Sequence, residues 1–177
     1  AKGGFAQDGV YMPEYYYDKD NGRKVTKAGF VKDNRGLTYY LDEKGEKVLG
    51  LHEINGDLYY FRQGGAYKYT QLGDMWQDSI NYIDGKIYYF GHDGRAIKNR
   101  FYQWGNYWYY FYADGSAATG AVQINGQQLY FDKNHGRQVK GAFAPDGHYY
   151  DENSGELVTN QTRTIKGVTY HFDENGN

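Results

Sequence analysis

The chain has 177 residues, enough for one ordinary domain or a short array of small units, and holds 22 Tyr, 9 Phe, 3 Trp and 25 Gly but no Cys. A formal charge of −2 gives no basic field for phosphate backbones and argues against nucleic acid as the main partner; the lack of Cys excludes disulfides, thiolate metal sites and a Cys nucleophile. No apolar run reaches the roughly 18 residues of a membrane span, so no membrane partner is expected, and the opening AKGGFAQDG has no signal-peptide core, which places any secretion signal outside these residues.

Regular elements must be short, because no stretch free of Gly and Pro exceeds 11 residues. The ring-rich, turn-rich composition reads as all-β. Along the chain an aromatic triplet followed by a polar loop closing on Gly recurs as YYYDKDNG, YYLDEKG, YYFRQGG, YYFGHDG, YYFYADG, LYFDKNHG, HYYDENSG and YHFDENG. The closing glycines, from Gly22 to Gly176, lie about 22 residues apart, the signature of a repeat array. Between the loops, Asp8-Gly9, Asn55-Gly56, Asp84-Gly85, Asn125-Gly126 and Asp146-Gly147 predict type I′ hairpin turns, in which both central residues take positive φ. Each repeat is therefore predicted to be one β-hairpin plus a connecting loop.

A lone hairpin is marginal in water, so each must bury a ring-bearing face on its neighbours. The expected fold is a β-solenoid of about eight stacked β-hairpin repeats of about 20 residues, approximately 1–27, 28–49, 50–72, 73–99, 100–119, 120–140, 141–160 and 161–177. A shift of 70 positions superposes Tyr39 on Tyr109, Gly50 on Gly120, Asn55 on Asn125 and Phe61 on Phe131, and KGGFAQDG at 2–9 matches KGAFAPDG at 140–147. Both ends fall within the repeat pattern, which predicts a fragment of a longer protein.

The segment FYQWGNYWYYFYADGS, residues 101–116, breaks the usual strand pattern. A strand with one wet face alternates apolar with polar side chains, yet here rings fall on both faces. Tyr109 and Phe111 share one, Trp108 and Tyr110 the other. Either both rows pack, or one row packs and the other lines a surface site.

The other chemistry is weak. The loops DKDNG, DEKG, DENSG and DENG lack an EF-hand's ligand set and suit Asx turns. The five His residues show no paired metal spacing, and no Ser sits in a nucleophile elbow. No catalysis, metal or cofactor is expected. Flat rings beside Gln, Lys, Asn and Asp suit the C–H faces and hydroxyls of sugars. Each such site binds at about millimolar, and repetition supplies avidity on a polymer.

The segments TGAVQINGQQLYFDKNHGRQVKGAF and HYYDENSGELVTN resemble the cell-wall-binding-type repeats of the glucan-binding domains of bacterial glucansucrases, glycoside hydrolase family 70, and of related streptococcal glucan-binding proteins. The resemblance implies a secreted or cell-surface module, without activity of its own, that binds α-glucan of the dextran type as a monomer and is joined covalently to a catalytic domain. It implies a pocket of Tyr130, Gln138, Lys140 and Tyr149, in which a tyrosine stacks and the amide and ammonium bond hydroxyls. Seventy residues earlier the motif is altered, leaving Tyr60, Lys68, Tyr69 and Gln71; at the N-terminus Lys2 and Tyr16 form an incomplete copy. The alternatives are a choline-binding module, with a cage at Trp104, Trp108 and Tyr110, repeats that bind host glycans, and a structural spacer with no ligand.

Overall fold

The computed structural model describes residues 2–7, 14–64 and 73–177. Within them sixteen strands pair as eight antiparallel hairpins, each a separate two-stranded sheet. In chain order they are β1 (Gly4–Gln7) with β2 (Glu14–Tyr17), β3 (Gly29–Lys32) with β4 (Thr38–Leu41), β5 (Gly50–Ile54) with β6 (Asp57–Phe61), and β7 (Ser79–Ile83) with β8 (Lys86–Phe90). There follow β9 (Arg100–Trp104) with β10 (Tyr107–Phe111), β11 (Gly120–Ile124) with β12 (Gln127–Phe131), β13 (Ala142–Phe143) with β14 (Tyr149–Tyr150), and β15 (Gln161–Ile165) with β16 (Val168–Phe172). The fold is all-β, a β-solenoid of hairpin repeats, with no helix among the described residues. Two compact units divide it, Ala1–Ile80 with Tyr89–Ala96 and Asn81–Tyr88 with Ile97–Asn177.

Turn chemistry sets the hairpins. Asn55 and Gly56, Asp84 and Gly85, and Asn125 and Gly126 all take positive φ, the type I′ pattern. Lys166 and Gly167 do the same (φ 49° and 81°) although Lys resists that conformation. Asp146-Gly147 departs from the expected type. Only Gly147 has positive φ, and its N–H reaches the Ala144 carbonyl, because Pro145 at the second position pre-sets φ for a type I turn. Asp8-Gly9 lies outside the described residues.

The loops are closed by their leading carboxylates. Asp18 Oδ1 accepts from the Asp20 and Asn21 amides, Asp42 from Lys44 and Glu46, Asp151 from Asn153 and Ser154, and Asp173 from Asn175 and Asn177. These are the Asx turns that the sequence predicts. The amides hold the Asp18, Asp151 and Asp173 carboxyls below the usual range.

After each loop the chain makes a short bridge back to its own hairpin, as Leu41 with Lys47, Phe61 with Met75, Phe111 with Ala117 and Phe131 with Gln138. The amide of that bridge residue then donates to the hairpin before: Met75 to Thr38, Ala96 to Leu58, Ala117 to Ile87, Gln138 to Trp108 and Leu157 to Gln128, at 2.7–2.9 Å. Ring layers pack at the junctions of the second unit. In the second unit, Ile124, Leu129 and Phe131 share one face of their hairpin and meet Ala118, with Phe101 and Tyr110 from the hairpin before. Tyr130, on the opposite face, joins Ala144 and Tyr150 in the next layer, and Tyr149 joins Val158 and Phe172 in the one after. A hairpin between two layers needs rings on both faces, which accounts for the unbroken triplets.

Two outcomes check this account. Gly45 sits at φ +80° with the Val25 carbonyl oxygen where a Cβ would lie, so Gly45→Ala should cost about 2–4 kcal/mol in urea unfolding, whereas Lys166→Asn should gain about 0.5–1 kcal/mol. Asp114 is held down to about 2 by the Ser116 hydroxyl, whose hydrogen bond outweighs burial, helped by the Ser116 amide and the Lys86 ammonium. A carboxyl with a lower pKa folded than unfolded stabilises the fold above its unfolded value, about 4, and that contribution disappears as pH falls through about 2. Asp114→Asn should therefore be less stable than the native chain at neutral pH, by a margin that closes between about pH 4 and 2 in urea unfolding at stepped pH.

Candidate functional site

The resemblance assigns stacking to Tyr130 or Tyr149, and the structure places both in the core, 2% and 8% exposed. Tyr130 lies 5.7 Å from Tyr150, ring centroid to centroid. Tyr149 packs edge-on to Phe143 and stacks with Phe172 at 6.0 Å. The two belong to different layers. A shallow depression beside Tyr149 is lined by Asp151, Glu152, Arg163, Thr164 and Ile165, but Arg163 already donates to Asp151 and Gln161.

Gln138 and Lys140 do come together, and their ring is Trp108. The Gln138 backbone N–H donates to the Trp108 backbone carbonyl at 2.8 Å, across the junction between successive hairpins. Lys140 Nζ lies 6.0 Å from the Trp108 ring centroid and donates to the Asn153 carbonyl at 2.9 Å. Gly155 makes the fit possible. A Cβ there would come within 2.5 Å of Gln138 Nε2 and 3.1 Å of Lys140 Cγ. Trp108 itself is 38% exposed, so an indole and an ammonium share a surface shelf, with the Gln138 side-chain amide beside Lys140 along Gly155. Beside it Arg137 lies 4.1 Å over the exposed Tyr107 ring.

The cage residues Trp104, Trp108 and Tyr110 divide between two faces. Register pairs Tyr107 with Trp104 and Trp108 with Gln103, so period-two alternation sets Trp104 on the face of Tyr109 and Phe111, away from Trp108 and Tyr110. Tyr110 packs edge-on against Phe101 and Tyr112. Tyr60 is buried, 4.3 Å from Trp76, while Lys68, Tyr69 and Gln71 lie outside the described residues. Tyr16 is a core ring whose hydroxyl donates to the Lys32 carbonyl. Lys2 lies along Gly22, as Lys140 lies along Gly155. Tyr107, Arg137 and Asn153 were not singled out by the sequence, and only repeat register could have joined Trp108 to Gln138.

Residues 118–161 match the choline-binding repeat profile, and residues 28–47 and 99–117 match that of the cell wall binding repeat. The chain is 38% identical over 167 residues to Glucosyltransferase-S of Streptococcus mutans, covering 91% of this chain and 11% of that protein. The matched segments belong to the cell wall binding and choline-binding repeats. Glucosyltransferase-I of Streptococcus downei is also 38% identical, covering 88% of this chain and 10% of its own length; the repeats span about a tenth of these relatives. Among solved structures, choline binding protein F of Streptococcus pneumoniae superposes with a TM-score of 0.66 at 32% identity, covering 89% of this chain and 48% of that one. Its structure in the presence of a peptidoglycan analogue gives 0.75 at 26% identity, covering 98% and 56%. The matched segments are binding repeats, and this array of them is non-catalytic.

The burial of the two rings separates their roles. Tyr130→Ala should lower stability by about 3–5 kcal/mol through the cavity it leaves, whereas Trp108→Ala, at the surface, should change it by under about 1 kcal/mol; chemical unfolding of both variants measures the contrast.

Proposed function

We propose that these cell wall binding repeats form a non-catalytic module for a neutral α-glucan of the dextran type. The observation that carries this reading is the Trp108 shelf, where an exposed indole lies near the Lys140 ammonium, and the Gln138 side-chain amide lies beside Lys140 along Gly155. An indole plane stacks on the C–H face of a pyranose, and the amide and ammonium donate to its hydroxyls. The same cations disfavour a quaternary ammonium ligand: Lys140 stands 6.0 Å from Trp108 and Arg137 covers Tyr107, so a second positive charge would enter against two fixed ones. The similarity to streptococcal glucosyltransferases supports the polymer.

Other hairpins carry exposed rings of their own, Phe30, Tyr82 and Phe143. Weak sites of about millimolar strength gain roughly 10²–10⁴-fold when several engage one chain. In this reading the module acts outside the cell as a monomer, joined to a glucosyltransferase catalytic domain that it keeps near its polymer or near a glucan-coated surface.

Affinity electrophoresis tests it. Migration of the native chain should be retarded in gels containing dextran, more than in gels containing starch, with little dependence on added salt. Retention on choline-agarose should be absent. Trp108→Ala and Lys140→Met should each weaken the dextran effect, while unchanged mobility of the native chain in dextran would overturn the assignment.

A further inference from the structure

The bridge residue after each loop decides what the neighbouring rings face. At Gln138 it is a neutral amide beside an open shelf. In the first unit the same position is Lys24, bridged to Tyr17, and Lys47, bridged to Leu41, followed by Met75 and Ala96. Lys24 Nζ stands 3.0 Å over the Tyr15 ring. Lys47 is more enclosed: its side chain is 15% exposed, its stem crosses Gly73, where a Cβ would come within 3.1 Å of it, and its head group reaches a corner of two rings. Phe5 and Tyr39 meet there at 4.6 Å and 66°. The ammonium lies 3.9 Å from the Phe5 centroid and 5.3 Å from the Tyr39 centroid, and 2.8 Å from the Glu14 carboxylate.

Two ring faces and a carboxylate around a desolvated cation are the groups that recognise an alkylammonium. We infer that Lys47 is the tethered occupant of an alkylammonium site formed by Phe5, Tyr39 and Glu14, and that its presence keeps free quaternary ammonium compounds out of this corner. An intramolecular cation competes at an effective concentration that a dissolved ligand reaches only in the millimolar range or above. Lys47 is in this sense a specificity-determining residue: it fills with the protein's own charge a cradle that would otherwise select a cation. Truncation removes Cγ through Nζ and makes room for a trimethylammonium group of similar bulk, with Glu14 left to balance its charge.

The experiment is a choline titration of the full chain by calorimetry, with tetramethylammonium as a second probe. Lys47→Ala should show one more saturable site than the native chain, and Lys47→Met, which refills the space without charge, should show none. Adding Glu14→Gln to Lys47→Ala should weaken the new site several-fold. A cooperatively folded Lys47→Ala chain with no added site would overturn the inference, as would a native chain that already binds as many choline molecules as the variant. Should Lys47→Ala not fold, proton NMR of the native chain decides: ring currents from Phe5 and Tyr39 should move the Lys47 ε-methylene resonances well upfield, and unshifted resonances would reject the occupied corner. None of these outcomes depends on dextran binding.

Discussion

A single peptide amide connects neighbouring hairpins at five junctions of the array. Each hairpin is a closed pair of strands, and no ladder runs from one to the next. At five of the loops the chain turns back, bridges its own hairpin, and donates an N–H to the hairpin before, as Gln138 does to Trp108 and Ala117 to Ile87. With so little backbone pairing at the junction, side chains must supply the rest. Aromatic pairs contribute about 0.5–1.5 kcal/mol beyond the area they bury, and in the second unit ring layers flank both faces of the β11–β12 hairpin. Much of the tyrosine and phenylalanine content is thus a structural requirement, and the exposed rings are what remains for recognition.

Two lysines stand beside rings in different ways. Lys140 stands 6.0 Å from the Trp108 centroid, and the indole is 38% exposed, with the Gln138 side chain beside Lys140 along Gly155. Lys47 lies over its rings and closes them. One repeat geometry thus yields an open shelf or a filled corner, according to the residue at the bridge and the reach of the nearest amine.

The sequence made the hairpins legible because Asn55-Gly56 and Asn125-Gly126 leave the backbone few choices. Lys166-Gly167 gave no such signal, since nothing about Lys favours positive φ, and Pro145 changed the turn at Asp146-Gly147. Alternation correctly separated Tyr109 and Phe111 from Trp108 and Tyr110, but it could not say that the neighbouring repeat covers most second faces as well. Nor could it place Trp104. A two-residue turn reverses odd and even across a hairpin, so Trp104 falls opposite Tyr107 and away from Trp108. Gln138 and Lys140 were readable as a pair; their ring was not, because the reach-back bond links positions 138 and 108, a separation that depends on the length of every loop between them.

The carboxylate-closed loops have a consequence for where such a chain can work. Small extracellular modules often rely on oxidised thiols to hold their turns, which ties their integrity to the redox state of the surroundings. Here an aspartate at the head of a loop collects the amides that a covalent staple would otherwise have to immobilise, as Asp151 and Asp173 do. A reductant has nothing to cleave, and a turn that opens locally recloses without an oxidant or an isomerase. The array keeps the same architecture in reducing and oxidising surroundings.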